Sequence, residues 1–98
     1  MIIKYEIRSS KNNAVVSIQY SKYRVFATHD NLLDSLSAAK TLLAADPLAK
    51  DRIYITRSEY ANELNRRRDF CITRSIVWSG PFHGADALNE MIESAGQI

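Results

Sequence analysis

The stretch VWSGPFHGADALNEM, residues 77–91, is where the sequence changes from a strand pattern to a helix pattern. The residues that lead into it, 69–79, alternate in polarity and predict a strand with Trp78 on its apolar face. Within and beyond the stretch, Leu88 and Ile92 recur at helical spacing. Glycine and proline between two such patterns are typical of a chain reversal, so we interpret the stretch as a structural junction and not as a ligand site.

A strand-then-helix order also precedes this junction. Alternating polarity predicts one strand over 2–9 and a second, bent strand over 14–25, with a bulge at 21–22 where the alternation changes phase. Leucine and alanine at intervals of three and four then predict a helix over 31–45, which Pro47 ends. The first half of the chain therefore resembles the second half in its order of elements.

The middle of the chain holds one further strand and one segment that has two interpretations. Residues 52–56 alternate and predict a strand, whereas 58–65 fits either a short helix or a continuation of that strand. The last helix is predicted over 85–95, with Gly96 in the left-handed conformation that ends many helices. These elements predict a single α+β domain over residues 1–98, with an antiparallel sheet of four to five strands and two helices on one face. A ββα-ββα pseudo-repeat is one interpretation of this order. The predicted core consists of Leu36, Leu43, Ile53, Ile72, Ile76, Leu88 and Ile92.

The composition is that of a folded globular domain. Of the 98 residues, 46% are hydrophobic and 24% charged, and glycine and proline together number five. Apolar runs are too short to cross a membrane, so no membrane association is expected. A secreted domain of this size usually needs disulfides, and Cys71 has no second cysteine to pair with. These features predict a cytoplasmic protein.

The sequence offers little for catalysis or metal binding. His29 and His83 each lie at a strand-to-helix junction, without a nucleophile motif beside them. One cysteine and two histidines without paired spacing do not make a zinc site, so we expect neither a metal nor another cofactor. A non-enzymatic protein is therefore expected. A small metal-independent ribonuclease stays an alternative, because such enzymes can work with Arg, Lys, His and Tyr alone.

Positive charge is concentrated in the first four fifths of the chain. All 13 Lys and Arg residues precede residue 79, whereas three of the 11 acidic residues follow it. The densest cluster is expected in a loop between the last two strands, where arginine can bind carboxylates or phosphates in a bidentate manner. The sheet face opposite the helices is expected to be open, polar and mildly basic. The predicted binding residues are Arg66, Arg67 and Arg68 in the loop, with Arg24, Arg52 and Tyr54 on the sheet.

These observations favour a small protein-binding module that acts by occupying the surface of a partner protein. The basic character predicts a partner with an acidic surface. Inhibitors encoded by phages or mobile elements, of the anti-CRISPR or anti-restriction type, are one class that such a module would fit. The alternative is a nucleic-acid-binding domain that uses the basic loop and the open sheet face, although a net charge of +2 is low for binding driven by phosphates. The sequence predicts no particular oligomeric state.

Overall fold

The computed structural model describes residues 1–16 and 28–96, together with the backbone of two short strands between them. The strands are β1 (Ile2–Ser9), β2 (Ile18–Tyr20), β3 (Tyr23–Val25), β4 (Thr28–His29), β5 (Ile53–Tyr60) and β6 (Thr73–Ser79). The helices are α1 (Leu32–Ala45), a 3-10 helix (Pro47–Asp51), α2 (Glu63–Arg67) and α3 (Gly80–Gly96).

The central sheet has four antiparallel strands in the order β4-β1-β5-β6, and α1 and α3 pack on one of its faces. The predicted α+β class, antiparallel sheet and pair of helices are therefore confirmed. The ββα-ββα pseudo-repeat is not confirmed. The predicted bent strand over 14–25 is wrong, because β2 and β3 pair with each other antiparallel, with Tyr20 opposite Tyr23. The predicted bulge at 21–22 lies outside the described residues.

The apolar core lies between the sheet and the two long helices. Ile7 of β1 and Ile55 of β5 are opposite each other in the register, and both side chains are buried against α1 and α3. Trp78 of β6 is also fully buried, and its indole N–H donates a hydrogen bond to the carbonyl of Gly84 at 2.9 Å. Among the predicted core residues, Leu36, Ile53 and Leu88 are buried, while Leu43 and Ile92 are partly buried at the core's margin.

Two predicted core residues, Ile72 and Ile76, are instead exposed, at 58% and 60% of their surface. The register between β5 and β6 shifts after Ile55, which pairs with Trp78, while its neighbour Thr56 pairs with Ile76. The extra residue in β6 reverses the alternation, so Trp78 faces the helices and Ile76 faces the other side. This single bulge therefore explains why Trp78 is buried while Ile76, which was expected on the same face, is exposed.

The junction between β6 and α3 has the structural role that its sequence predicts. The chain kinks at Gly84, whose φ of 80° and ψ of 179° are accessible to glycine and strained for other residues. The imidazole Nδ1 of His83 accepts a hydrogen bond from the backbone N–H of Ser79 at 2.9 Å, which ties the first turn of α3 to the end of β6. The prediction for Gly96 is wrong, because the glycine with positive φ is Gly84.

Candidate functional site

The sheet face opposite α1 and α3 holds a partly buried polar network where the sequence predicts an open surface. Side chains alternate between faces along a strand, so the neighbours of Ile7 and Ile55 point away from the helices. There Glu6, Arg8 and Thr56 are only 4%, 0% and 1% exposed. The expectation of an open face is wrong at these positions, because their side chains bond to each other and to the segments that follow β1 and β5.

Arg8 is the centre of this face. Its Nε–H donates to Thr56 Oγ1 at 3.1 Å, and Nη1 donates to the carbonyl of Asn13 at 2.8 Å. Nη1 and Nη2 also bind the two carboxylate oxygens of Asp69, at 3.0 and 2.8 Å, and Nη2 donates to Glu6 Oε1 at 2.8 Å. These contacts use all five N–H donors of a guanidinium. Arg8 therefore has a structural role and no donor left for a ligand.

Asp69 joins the network to the segment between β5 and β6. Its backbone has a φ of 55°, in the left-handed region that few residues other than glycine adopt without cost. Its carboxylate, besides binding Arg8, lies 2.5 Å from Arg74 Nη2 and 3.0 Å from the Tyr60 hydroxyl. Hydrogen bonds from Arg8 lower the pKa of Asp69 to about 2, so this carboxylate is ionised at neutral pH.

The hydroxyl of Tyr60 lies between the two carboxylates of the network. It is 2.9 Å from Glu6 Oε1 and 3.0 Å from Asp69 Oδ1, and Arg74 Nη2 donates to it at 3.1 Å. Burial raises the pKa of Tyr60, so the phenol keeps the proton that it shares with these acceptors.

We call Glu6, Arg8, Tyr60, Asp69 and Arg74 the polar network. Its two cations and two carboxylates balance, and every buried polar side-chain atom that the structure describes has a partner.

The polar network anchors residues 62–70, which we call the basic loop. β5 continues to Tyr60, and α2 then begins after Asn62, whose side chain accepts the N–H of Asn65 at 2.9 Å. The two interpretations of 58–65 are thus both correct in part. The loop closes where the N–H of Phe70 donates to the carbonyl of Asn65 at 2.8 Å. It is therefore capped at its start, closed by a backbone hydrogen bond and held by Asp69.

The three predicted arginines of the basic loop have different surroundings. Arg66 forms an ion pair with Glu63, one turn earlier in α2. Arg67 is 72% exposed in its side chain, with its Nε 3.7 Å from the same carboxylate. Arg68 caps the C-terminus of α2 and is exposed. Glu63 supplies one negative charge near two arginines, Arg66 and Arg67. A net positive charge therefore remains at Arg67 and Arg68.

The other predicted binding residues do not join this cluster. Arg52 lies before β5 and pairs with Asp46 at 2.5 Å. Tyr54 is half-buried near the start of β5, and its hydroxyl bonds to the side chain of Asn13. Arg24 lies in β3, and its side chain is outside the described part of the structure. These three residues therefore lie outside the basic loop, which follows the end of β5.

Sequence reasoning missed the apolar members of the basic loop and the residues that hold it. Leu64 and Phe70 are 55% and 71% exposed, although alternation over 69–79 puts Phe70 on the same face of the predicted strand as Trp78. By alternation Arg8 falls on the open polar face of the sheet, and Asp69 begins the strand predicted over 69–79, so the local pattern indicates burial of neither side chain. The available signal was a strand whose polar face carries Glu6 and Arg8 two positions apart, which can form an ion pair on one face.

Three further features bear on function, namely metal-binding clusters, membrane-spanning helices and similarity to known proteins. No cluster of three His, Cys, Asp or Glu side chains suited to a metal occurs among the described residues. No described helix is both long enough and apolar enough to cross a membrane. No protein-family model, curated protein or solved structure matches this chain.

The depressed pKa of Asp69 predicts a loss of stability in acid. Its folded-state pKa of about 2 lies below the ordinary value of 3.8, so its contribution is complete above that ordinary value and is lost as the pH falls towards 2. The Asp69 side chain is 45% exposed, so water screens part of this effect. Asp69→Asn should therefore remove this part of the pH dependence and lower the free energy of unfolding at pH 7 by about 1 kcal/mol. Urea unfolding from pH 7 to pH 2 measures both effects.

The control for this experiment is Asp86→Asn, which removes an exposed carboxyl of α3. That variant should keep the acid dependence of the parent protein. If the Asp69→Asn variant loses stability in acid as steeply as the parent does, Asp69 does not have the electrostatic role that its hydrogen bonds indicate.

Proposed function

We propose that this protein is a non-enzymatic protein-binding module whose binding surface is the basic loop. The observation that carries the proposal is the combination of two exposed arginines, Arg67 and Arg68, with two exposed apolar side chains, Leu64 and Phe70, in one anchored segment. Arginine and aromatic residues are enriched at the energetic centres of protein interfaces. The loop offers both within nine residues.

Preorganisation supports the same proposal. A loop that is ordered only on binding loses affinity, because the entropy of ordering opposes association. In this protein Asp69 is fixed by Arg8, Tyr60 and Arg74, and Phe70 by its backbone bond to Asn65. The loop can therefore bind a partner at a small conformational cost.

The charge of the loop favours a partner with an acidic surface. Glu63 compensates one arginine of α2, and Asp69 is compensated by the polar network, which leaves Arg67 and Arg68 to attract carboxylates. A module of this kind would act by covering its partner's surface, as an inhibitor does, and a phage or mobile-element inhibitor stays within the proposal. The lone Cys71 favours a reducing, cytoplasmic setting for it.

The test is a quantitative pull-down from nuclease-treated host lysate, with the parent protein and two charge variants. Arg67→Glu combined with Arg68→Glu should weaken capture of the specific partner by roughly tenfold or more, because both charges of the loop are reversed. Lys11→Glu combined with Lys40→Glu makes the same change in net charge at two exposed positions outside the loop. This control should capture as much partner as the parent protein does.

Two outcomes would contradict the proposal. Equal capture by the loop variant would exclude the basic loop as the binding surface. A partner that the parent protein captures from untreated lysate but not from nuclease-treated lysate would favour the alternative, a nucleic-acid-binding domain. Its affinity should then fall steeply with salt, as phosphate-driven binding does.

A further inference from the structure

β6 forms an edge of the sheet that lacks the usual protection against strand pairing. It pairs with β5 on one side, and no strand that the structure describes pairs with its other side. Natural edge strands are usually blocked by charged side chains or proline. Between Thr73 and Ser79 there is no proline, and Arg74 is the one charged residue.

Arg74 does not protect this edge, because its guanidinium turns back over the sheet. Its Nε donates to the hydroxyl of Ser58 on β5 at 2.8 Å, and its Nη2 binds Asp69 at 2.5 Å. Both partners lie on the side of β6 that faces β5, away from the unpaired edge. The charge of Arg74 is also compensated by the Asp69 carboxylate, so it would repel a second such strand only weakly.

The apolar side chains along this edge are arranged symmetrically about Arg74. Ile72 and Ile76 lie two residues before and two residues after it, and both are more than half exposed. The N–H of Ile72 donates to the carbonyl of Glu59 on β5 at 2.7 Å, so backbone contact with the sheet extends to this residue. Residues 72–76 thus form a short edge that ends at the bulge after Ile76.

This symmetry makes the edge complementary to itself. When two antiparallel copies of residues 72–76 are aligned on Arg74, each Ile72 faces the Ile76 of the other copy, and each Thr73 faces a Ser75. A register centred on Ser75 would instead set each Ile76 against an Arg74. The register centred on Arg74 also sets the two Arg74 residues opposite each other, but each guanidinium turns towards Ser58 and pairs with Asp69 of its own copy. Because cross-strand apolar pairs stabilise a sheet and this repulsion is reduced, the register centred on Arg74 is favoured.

We propose that a second copy of this chain adds to β6 as an antiparallel strand, so that two four-stranded sheets become one sheet of eight strands. The contact has twofold symmetry and is isologous, as most homodimer interfaces are. Five residues from each copy make a small interface, which implies a weak, concentration-dependent dimer. The dimer would carry two basic loops and could bind a partner with two acidic sites more tightly than the monomer.

Sedimentation equilibrium of the purified protein, from roughly 10 µM to roughly 1 mM, tests this proposal. The parent protein should move from monomer to dimer over this range. Ile76→Lys should remain monomeric, because the new charge lies on the edge opposite Ile72 of the other copy, and an exposed position should tolerate the change. Phe82→Lys makes the same type of change at a residue that is 86% exposed in α3, and it should leave dimerisation unchanged.

The register is tested by nuclear Overhauser effects in a mixture of isotope-labelled and unlabelled protein. Contacts between the methyl groups of Ile72 in one copy and Ile76 in the other support the proposed pairing. A protein that stays monomeric at the highest concentration, or a dimer that Ile76→Lys does not weaken, would overturn the proposal. Neither result depends on the partner captured by the basic loop, so this proposal and the proposed function can fail separately.

Discussion

Replacing Arg8 with methionine should lower the free energy of unfolding by about 3–5 kcal/mol, the range observed when one partner of a buried ion pair is removed. Methionine fills much of the same volume but donates no hydrogen bond. The carboxylates of Glu6 and Asp69 would then share Arg74 as their one remaining cation in the network, and the carbonyl of Asn13 would lose its bond to Nη1. Urea unfolding at pH 7 measures the change.

Arg8→Lys separates the effect of charge from that of geometry. Lysine keeps the positive charge, but it cannot bind Asp69 through two nitrogens while also reaching Thr56 and Asn13. We therefore expect this variant to lie between the parent protein and Arg8→Met. A loss below about 1 kcal/mol in Arg8→Met would mean that the buried network is replaceable by apolar packing. In a domain of this size the methionine variant can lose much of its total stability, so the lysine variant keeps the comparison measurable.

The second large effect is expected at Gly80, where α3 begins. A Cβ atom at this position would lie 1.8 Å from the carbonyl oxygen of Lys50, in the backbone of the 3-10 helix. Backbone atoms cannot rotate away, so α3 or the 3-10 helix must move. Gly80→Ala should therefore lower the free energy of unfolding by about 3 kcal/mol, at the upper end of the usual range for overpacking. Thermal and urea unfolding both measure this loss.

Two other glycines of α3 provide matched controls. Gly96→Ala adds the same methyl group where nothing lies within 4 Å and φ is not positive, so it should be neutral or slightly stabilising. Gly84→Ala also meets no atom, but it retains a φ of 80° and should cost about 1–3 kcal/mol through backbone strain. If Gly80→Ala were as stable as Gly96→Ala, the close contact between α3 and the 3-10 helix would not exist as described.

The fold class was predictable because the local patterns were clear. Alternation over β1 and leucine spacing over α1 each follow from burying one face of one element, and neither needs knowledge of the rest of the chain. The helix predicted over 31–45 is observed over Leu32–Ala45. The junction after Trp78 was predictable for the same reason, since Gly84 is needed by the local backbone.

The candidate site was less predictable, because its features depend on contacts between distant parts of the chain. Arg8 and Asp69 are separated by 61 residues, and alternation cannot tell a solvated arginine from a buried one that an aspartate neutralises. The exposure of Ile76 follows from one extra residue in β6, and the local pattern of that strand is compatible with either face. The arginines of the basic loop were evident from composition, whereas the loop's apolar residues and its anchor were not.

The central claim is that the polar network holds the basic loop in place, and amide hydrogen exchange tests it most directly. Asp69→Asn is the suitable variant, because asparagine tolerates the left-handed backbone and removes only the carboxylate charge. In the parent protein the N–H groups of Asp69 and Phe70 bond to the carbonyls of Arg66 and Asn65. In the variant the exchange of the amides at 69 and 70 should be roughly tenfold faster, while the amide of Asp46, bonded to Leu42 at the end of α1, should change much less. Equal acceleration at all three amides, or none at 69 and 70, would contradict the claim that Asp69 and Arg8 anchor the loop.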